Sequence, residues 1–194
     1  VTGVTATDKT NIEAMRIYVF YLLARENDWE MCEEKLDELL HQMKQLESKN
    51  SDLYFNLSKL YARYCGRKEP VLQRTLQILD IAIMLAPENA AYHAEVGHQK
   101  ALLGDYQGAY QVYQRATAFD DTFLQPLYGM IFCRIKQEQV DDAQHQLEFL
   151  AELSEADDNK PAEHYFLEAL IEWRLKGNKT EAIRMLDECI RLHI

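Results

Sequence analysis

The feature that most constrains this chain is a spacing. From Ala90 onward a pattern opens with Val96-Gly97, turns at Leu103-Gly104-Asp105 and continues through Ala109, Tyr113 and Ala116. The last three are separated by four and then three residues, the steps along one face of an α-helix. A shift of 34 residues carries Ala90 to Leu124 and puts Ala143, Leu147 and Leu150 in the places of Ala109, Tyr113 and Ala116. A shift of 34 the other way reaches Asn56, setting Leu79 opposite Tyr113 and Ala82 opposite Ala116, with Pro87 to end the helix. One helical hairpin cannot bury its own apolar face, so such a period folds only by stacking copies on one another.

This period and residue pattern resemble the tetratricopeptide repeat (TPR). Small residues at Gly97, Ala109 and Ala116 let paired helices approach closely, and Tyr113 fills the space between neighbouring repeats. A further unit carries Trp173, Gly177-Asn178, Ala182, Leu186 and Cys189, lying 39 residues after the equivalent positions of its predecessor. The additional residues fit the polar run from Glu155 to Pro161, a lengthened loop. In the first unit, Ile17, Phe20, Tyr21 and Ala24 form a helical stripe, Asn27-Asp28 a turn, and Cys32, Leu36 and Leu39 the second helix. In the second, Leu53-Tyr54, Leu57 and Tyr61 make a first helix, and Gly66-Arg67-Lys68-Glu69-Pro70 an insertion before the next. The expectation is an all-α TPR solenoid of about five helix-turn-helix repeats in a right-handed superhelix, a single array with approximate units 9–50, 51–89, 90–123, 124–160 and 161–194. Residues 1–8 would be a poorly structured lead. The final Arg191-Leu192-His193-Ile194 falls in or just beyond the last helix with no polar cap, so a piece of a longer array, or self-association through uncapped ends, is expected.

Composition narrows the function. With 47% hydrophobic residues and only 7 Gly and 4 Pro, the chain reads as folded and helical rather than strand-rich or disordered. A net charge of −11 repels phosphate backbones and anionic lipid, so nucleic acid is not an expected partner. Arg63, Arg67 and Lys68 cluster around a turn and read as solvated charge. The 4 cysteines form no C-x-x-C pair, which suits a reducing compartment. Cys32 and Cys189 stand where the repeat takes a small apolar residue. No apolar run approaches the ~18 residues of a membrane span, and Val1-Thr2-Gly3-Val4-Thr5 does not read as a signal peptide. A cytoplasmic protein without membrane insertion is therefore expected.

Catalysis finds little support. His93 and His98 would be about 140° apart around a helix and cannot share a metal from one face. His164 and Glu168 do share a face, but two ligands without a third make a poor site, and a surface pair is the expected reading. Phosphate- and dinucleotide-binding loops and the nucleophile elbow are missing. The acidic runs Glu33-Glu34 to Asp37-Glu38 and Asp157-Asp158 lack the ligand alternation of a calcium loop. Tyr61, Tyr113 and Trp173 fall on repeat core positions. No enzyme activity, cofactor or metal is expected, and the partners should be other proteins.

In TPR arrays the first helix of each repeat lines the concave face. The resemblance thus points to His98 in the Ala90 unit, Gln125, Tyr128, Phe132 and Ile135 in the next, and His164, Leu167, Ile171 and Arg174 in the last. A groove bearing Tyr128, Phe132, Leu167 and Ile171 would take a helix or an extended apolar segment; alternatively, packing hides these side chains within the array. Ala94 and His98 occupy places where a carboxylate clamp would need Lys, Asn or Arg, so chaperone-tail binding is disfavoured.

Three stretches are similar to a particular family: Asp8-Lys9-Thr10-Asn11 with Glu13-Ala14, Arg63-Tyr64-Cys65-Gly66-Arg67, and Asp142-Ala143-Gln144-His145-Gln146-Leu147-Glu148-Phe149-Leu150. Together with the order and unequal spacing of the units, they resemble the tetratricopeptide repeat protein twenty-one family, the large repeat subunit of intraflagellar transport complex A. That resemblance implies an interior segment of a long helical chain. It would be a non-catalytic scaffold binding other subunits of the complex, in the cilium and at its base, in retrograde transport. The alternative is a stand-alone TPR adaptor that captures a peptide or helix.

Overall fold

The structure, a computed structural model, describes residues 11–26, 28–65, 67–153 and 160–193. The expected lead at 1–8, Asn27 and Gly66 of two turns, and most of the loop from Glu155 to Pro161, with Asp157-Asp158, lie outside the described residues. Among the described residues there are ten α-helices and no strand. The chain divides into two compact units, and the division falls between Glu95 and Val96.

The first unit contains α1 (Ile12–Tyr21, widening into a π-helical turn at Leu22–Glu26), α2 (Trp29–Leu46), α3 (Ser51–Tyr64), α4 (Glu69–Leu85) and the start of α5 (Ala90–Leu102). Short polar side chains begin most of these helices by occupying backbone N–H groups that the first turn leaves without partners. Asn11 Oδ1 accepts from the Ala14 amide at 2.9 Å, Asp28 Oδ1 from Met31 at 3.0 Å, and Asn50 Oδ1 from Leu53 at 3.2 Å. Helix α4 has no such side-chain cap and instead carries Pro70 in its first turn, where a missing N–H costs nothing. Glu69 and Pro70 thus belong to the helix rather than to an insertion.

The core of this unit holds Cys32, Leu36 and Leu39 from α2, and Tyr54, Leu57 and Tyr61 from α3, as their spacing requires. Tyr61 donates to the Arg16 carbonyl at 3.3 Å, and Ser58 to the Thr75 carbonyl at 2.9 Å, so buried hydroxyls are satisfied by neighbouring helices. The stripe expected in α1 is corrected. Ile17, Tyr21 and Ala24 are exposed, and the buried face is Met15, Val19, Leu22 and Leu23. The segment is apolar on several sides, so helical period alone fits more than one face. The π-helical turn after Tyr21 also shifts the register at its end.

The second unit continues α5 and adds α6 (Tyr106–Phe119), α7 (Gln125–Lys136), α8 (Val140–Leu153), α9 (Ala162–Ile171, then a π-helical turn at Glu172–Lys176) and α10 (Lys179–His193). Its helix pairs join through tight turns with one left-handed residue each: Gly104 (φ 85°), Glu138 (φ 64°) and Gly177 (φ 63°). After Gly104 and Glu138 the next amide reaches back five residues, Asp105 to the Lys100 carbonyl and Gln139 to the Arg134 carbonyl, closing both helix ends alike. At Gly177 the corresponding bond, Asn178 to Glu172, reaches six, because the π turn adds a residue.

Tyr113 of α6 is the keystone of the middle of this unit. A β-carbon at Gly97 on α5 would stand 2.7 Å from its ring, and one at Gly129 on α7 would also collide with it. The two glycines thus make room for one aromatic ring between three helices. A second cluster gathers Tyr128, Ile131 and Ile135 of α7, Ala143, Leu147 and Leu150 of α8, and Leu167 and Ile171 of α9. Ala182 is buried and Cys189 half-buried. Trp173, expected in the core, is 58% exposed. It sits in the π-helical turn, where the wider winding carries it off the helix's buried face.

Candidate protein-binding surface

Helices α5, α7 and α9 are the first members of their pairs and carry all nine residues expected on a binding face or, for Arg174, the turn that follows. The structure separates these nine. His98, Gln125 and Arg174 are exposed, and Phe132 is half-buried. Tyr128, Ile135, Leu167 and Ile171 are buried in the cluster shared by α7, α8 and α9, and His164 is 2% exposed. The groove pictured from Tyr128, Phe132, Leu167 and Ile171 is corrected accordingly. Three of the four pack between helices, and only Phe132 stays at the surface. Neighbouring first helices lie close enough that positions facing one another are consumed by the core.

What the surface offers around Phe132 is aromatic. The Phe132 ring stacks with that of Phe166 on α9 at 6.3 Å between centroids, with 28° between planes. On its other side it meets Tyr106 of α6 edge-on at 6.3 Å. The Lys136 ammonium, one turn along α7, lies 5.7 Å from the Phe132 ring and 5.8 Å from the Tyr106 ring. Phe166 is 38% exposed, while Tyr106 and Phe132 are partly so. A row of half-open rings with a cation beside it can cover apolar side chains of a partner and contribute cation–π attraction. Sequence reasoning found Phe132 and missed Tyr106, Phe166 and Lys136. The signal available was the i, i+4 spacing of Phe132 and Lys136 on one face of α7.

His164 is buried and Glu168 half-buried, so they are not the expected surface pair. His164 Nε2 lies 3.3 Å from Glu168 Oε1, and Lys160 Nζ donates to the same oxygen at 3.3 Å. Hydrogen bonding to His164 holds the Glu168 carboxyl below its usual range against the opposing effect of burial, and Lys160 adds to it. This pair borders a cavity of about 320 Å³ between α8, α9 and α10, whose lining includes Glu148, Glu152 and the Glu172–Lys176 ion pair. Among the described residues no three His, Cys, Asp or Glu side chains come together as a metal site. The thiols of Cys32 and Cys133 are both pushed up to about 11 by burial, so neither is primed as a nucleophile. Among the described residues no helix is long and apolar enough to cross a membrane.

Stacked helical hairpins with small residues at the crossings define a TPR-type α-solenoid. Solved structures of TPR proteins share this fold. The MamA protein superposes with a TM-score of 0.55 at 13% identity, covering 93% of each chain. YrrB, described as a TPR protein with an unusual peptide-binding site, superposes with a TM-score of 0.51 at 17% identity over 98% of this chain and 91% of its own. A TPR protein from Parabacteroides merdae gives 0.58 at 18% identity, over 95% of this chain and 67% of its own. Residues 34–194 match the second ARM domain of tetratricopeptide repeat protein 21, and the chain belongs to that family. Human tetratricopeptide repeat protein 21B is 32% identical over 186 residues, and mouse tetratricopeptide repeat protein 21A 28% identical over 186 residues, each covering 96% of this chain. The chain spans 14% of the length of these relatives. Family and fold together make the chain a helical-repeat segment of the tetratricopeptide repeat protein 21 family.

Proposed function

We propose that this chain is a non-catalytic scaffold segment of an intraflagellar transport complex A subunit, and that it holds other subunits of the complex during retrograde ciliary transport. The family supports the complex and the cilium as its setting. The observation that carries protein docking is the half-open row of Tyr106, Phe132 and Phe166 with Lys136 beside it. The exposed members of the expected concave face, His98, Gln125 and Arg174, would extend this contact along the first helices of the repeats.

The test is retention of complex subunits by the tagged chain from lysate of ciliated cells, quantified for the native sequence and for a Phe132→Ala, Phe166→Ala variant of unchanged helicity. Enrichment of complex A subunits, with affinity falling at least about thirtyfold in the double variant, is expected, since two interface aromatics at about 1–2 kcal/mol each remove about 2–4 kcal/mol. A folded chain that retains none of these subunits would overturn the ciliary reading and leave the stand-alone peptide adaptor as the better account. Equal retention by the variant would move the contact off the aromatic row.

A further inference from the structure

The first unit carries a groove that this reading does not use. Between α2 and α4 lies a cavity of about 450 Å³, within the size range of sites that enclose small ligands or anchoring side chains. Its apolar part is the half-buried Ile81 of α4 beside the edges of the buried Leu40 and Ile78, and its polar lining is Asp37, His41 and Lys44 of α2 with Arg74 and Gln77 of α4. Arg74 is fixed in place: its guanidinium ion-pairs with Asp37, and Nη1 donates to Gln77 Oε1 at 2.8 Å. Its Nε is buried and has no acceptor among the described residues.

We propose that this groove docks an acidic segment of a partner protein, with an aliphatic side chain set between carboxylates. The charge balance argues for that occupant. Lys44 and Arg74 face a single carboxylate, Asp37, so the lining is locally cationic on a chain whose net charge is −11. Long-range repulsion disfavours anionic partners over most of the surface, and this groove is a place where one finds complementary charge together with an apolar seat. The carboxylates meet Lys44 and Arg74, and the aliphatic side chain covers the half-buried Ile81.

Fluorescence polarisation tests this with three short labelled peptides: alternating glutamate and leucine, alternating lysine and leucine, and alternating glutamate and serine. The glutamate–leucine peptide should bind, and each of the others should bind at least about tenfold more weakly. Lys44→Glu reverses one charge at an exposed position and should weaken the glutamate–leucine peptide about tenfold, whereas Lys49→Glu, in the turn outside the groove, controls for net charge alone. Absence of binding, equal binding of the lysine–leucine peptide, or equal losses in the two variants would overturn the proposal. The aromatic row of the second unit takes no part in this measurement, so its outcome is independent of the ciliary reading.

Discussion

The ring of Tyr113 occupies space that a β-carbon at either Gly97 or Gly129 would need. Overfilling a packed core costs about 1–3 kcal/mol, since neighbours must leave their preferred rotamers. Gly129→Ala should therefore lower the melting temperature by several degrees, and Tyr113→Leu introduced with it should restore part of the loss. Thermal denaturation of the two single variants and the double variant reads this directly; simple additivity of the two losses would show that the ring and the glycine are not in competition. Gly97 was legible in the sequence as the small residue of the repeat. Gly129 was not, because a shift of 34 from Gly97 lands on Ile131 and leaves Gly129 out of frame by two residues. Phase-shifted contacts of this kind depend on how two helices rotate against each other, which spacing along one chain does not encode.

Two of the turns joining helix pairs place a non-glycine residue in the left-handed region, Arg67 (φ 64°) and Glu138 (φ 64°). Glu138 has the same hydrogen-bond closure as Gly104 but carries a β-carbon there, at a cost of roughly 1–2 kcal/mol. Glycine gives back about 0.5–1 kcal/mol in unfolded-state freedom. Glu138→Gly is thus expected to stabilise by about 0.5–1 kcal/mol and Glu138→Ala by none, measured as denaturant midpoints at constant slope; a destabilising glycine would mean that the side chain supports the turn. Helices capped by Asp or Asn and closed by Gly were readable from local sequence. The π-helical turns were not, and they account for the misplacement of Trp173 and contribute to that of the α1 stripe. Among the candidate site residues, Phe132 was legible as a surface aromatic, whereas Ile135, Leu167 and Ile171 were lost to the core. A residue on a first helix faces either solvent or the next first helix, and the hydrophobic pattern is the same in both cases.

At the scale of the whole chain, 32 acidic against 21 basic residues leave a self-repulsion that opposes compactness. Exposed pairs such as Arg184 with Glu181 and Arg16 with Glu13 are worth only ~0–1 kcal/mol apiece and do not offset it. Raising sodium chloride from about 0.02 to about 0.5 M shortens the screening length severalfold and should raise the melting temperature by a few degrees. A fall instead would mean that the ion pairs dominate. The fold itself was legible because a 34-residue period specifies hairpins that must stack, whatever the details of each crossing. The burial of the cysteines has a further use. Cys32 and Cys133, one in each compact unit, are sealed from solvent with thiols raised to about 11. Only the thiolate attacks an alkylating reagent, so while the seal holds, either sulfur is close to inert at neutral pH. Each half of the chain thereby contains its own clock: with labelling read site by site, apart from Cys65 and Cys189, the pace at which Cys32 or Cys133 takes up a label is the pace at which its half breathes open, with no probe added to the protein.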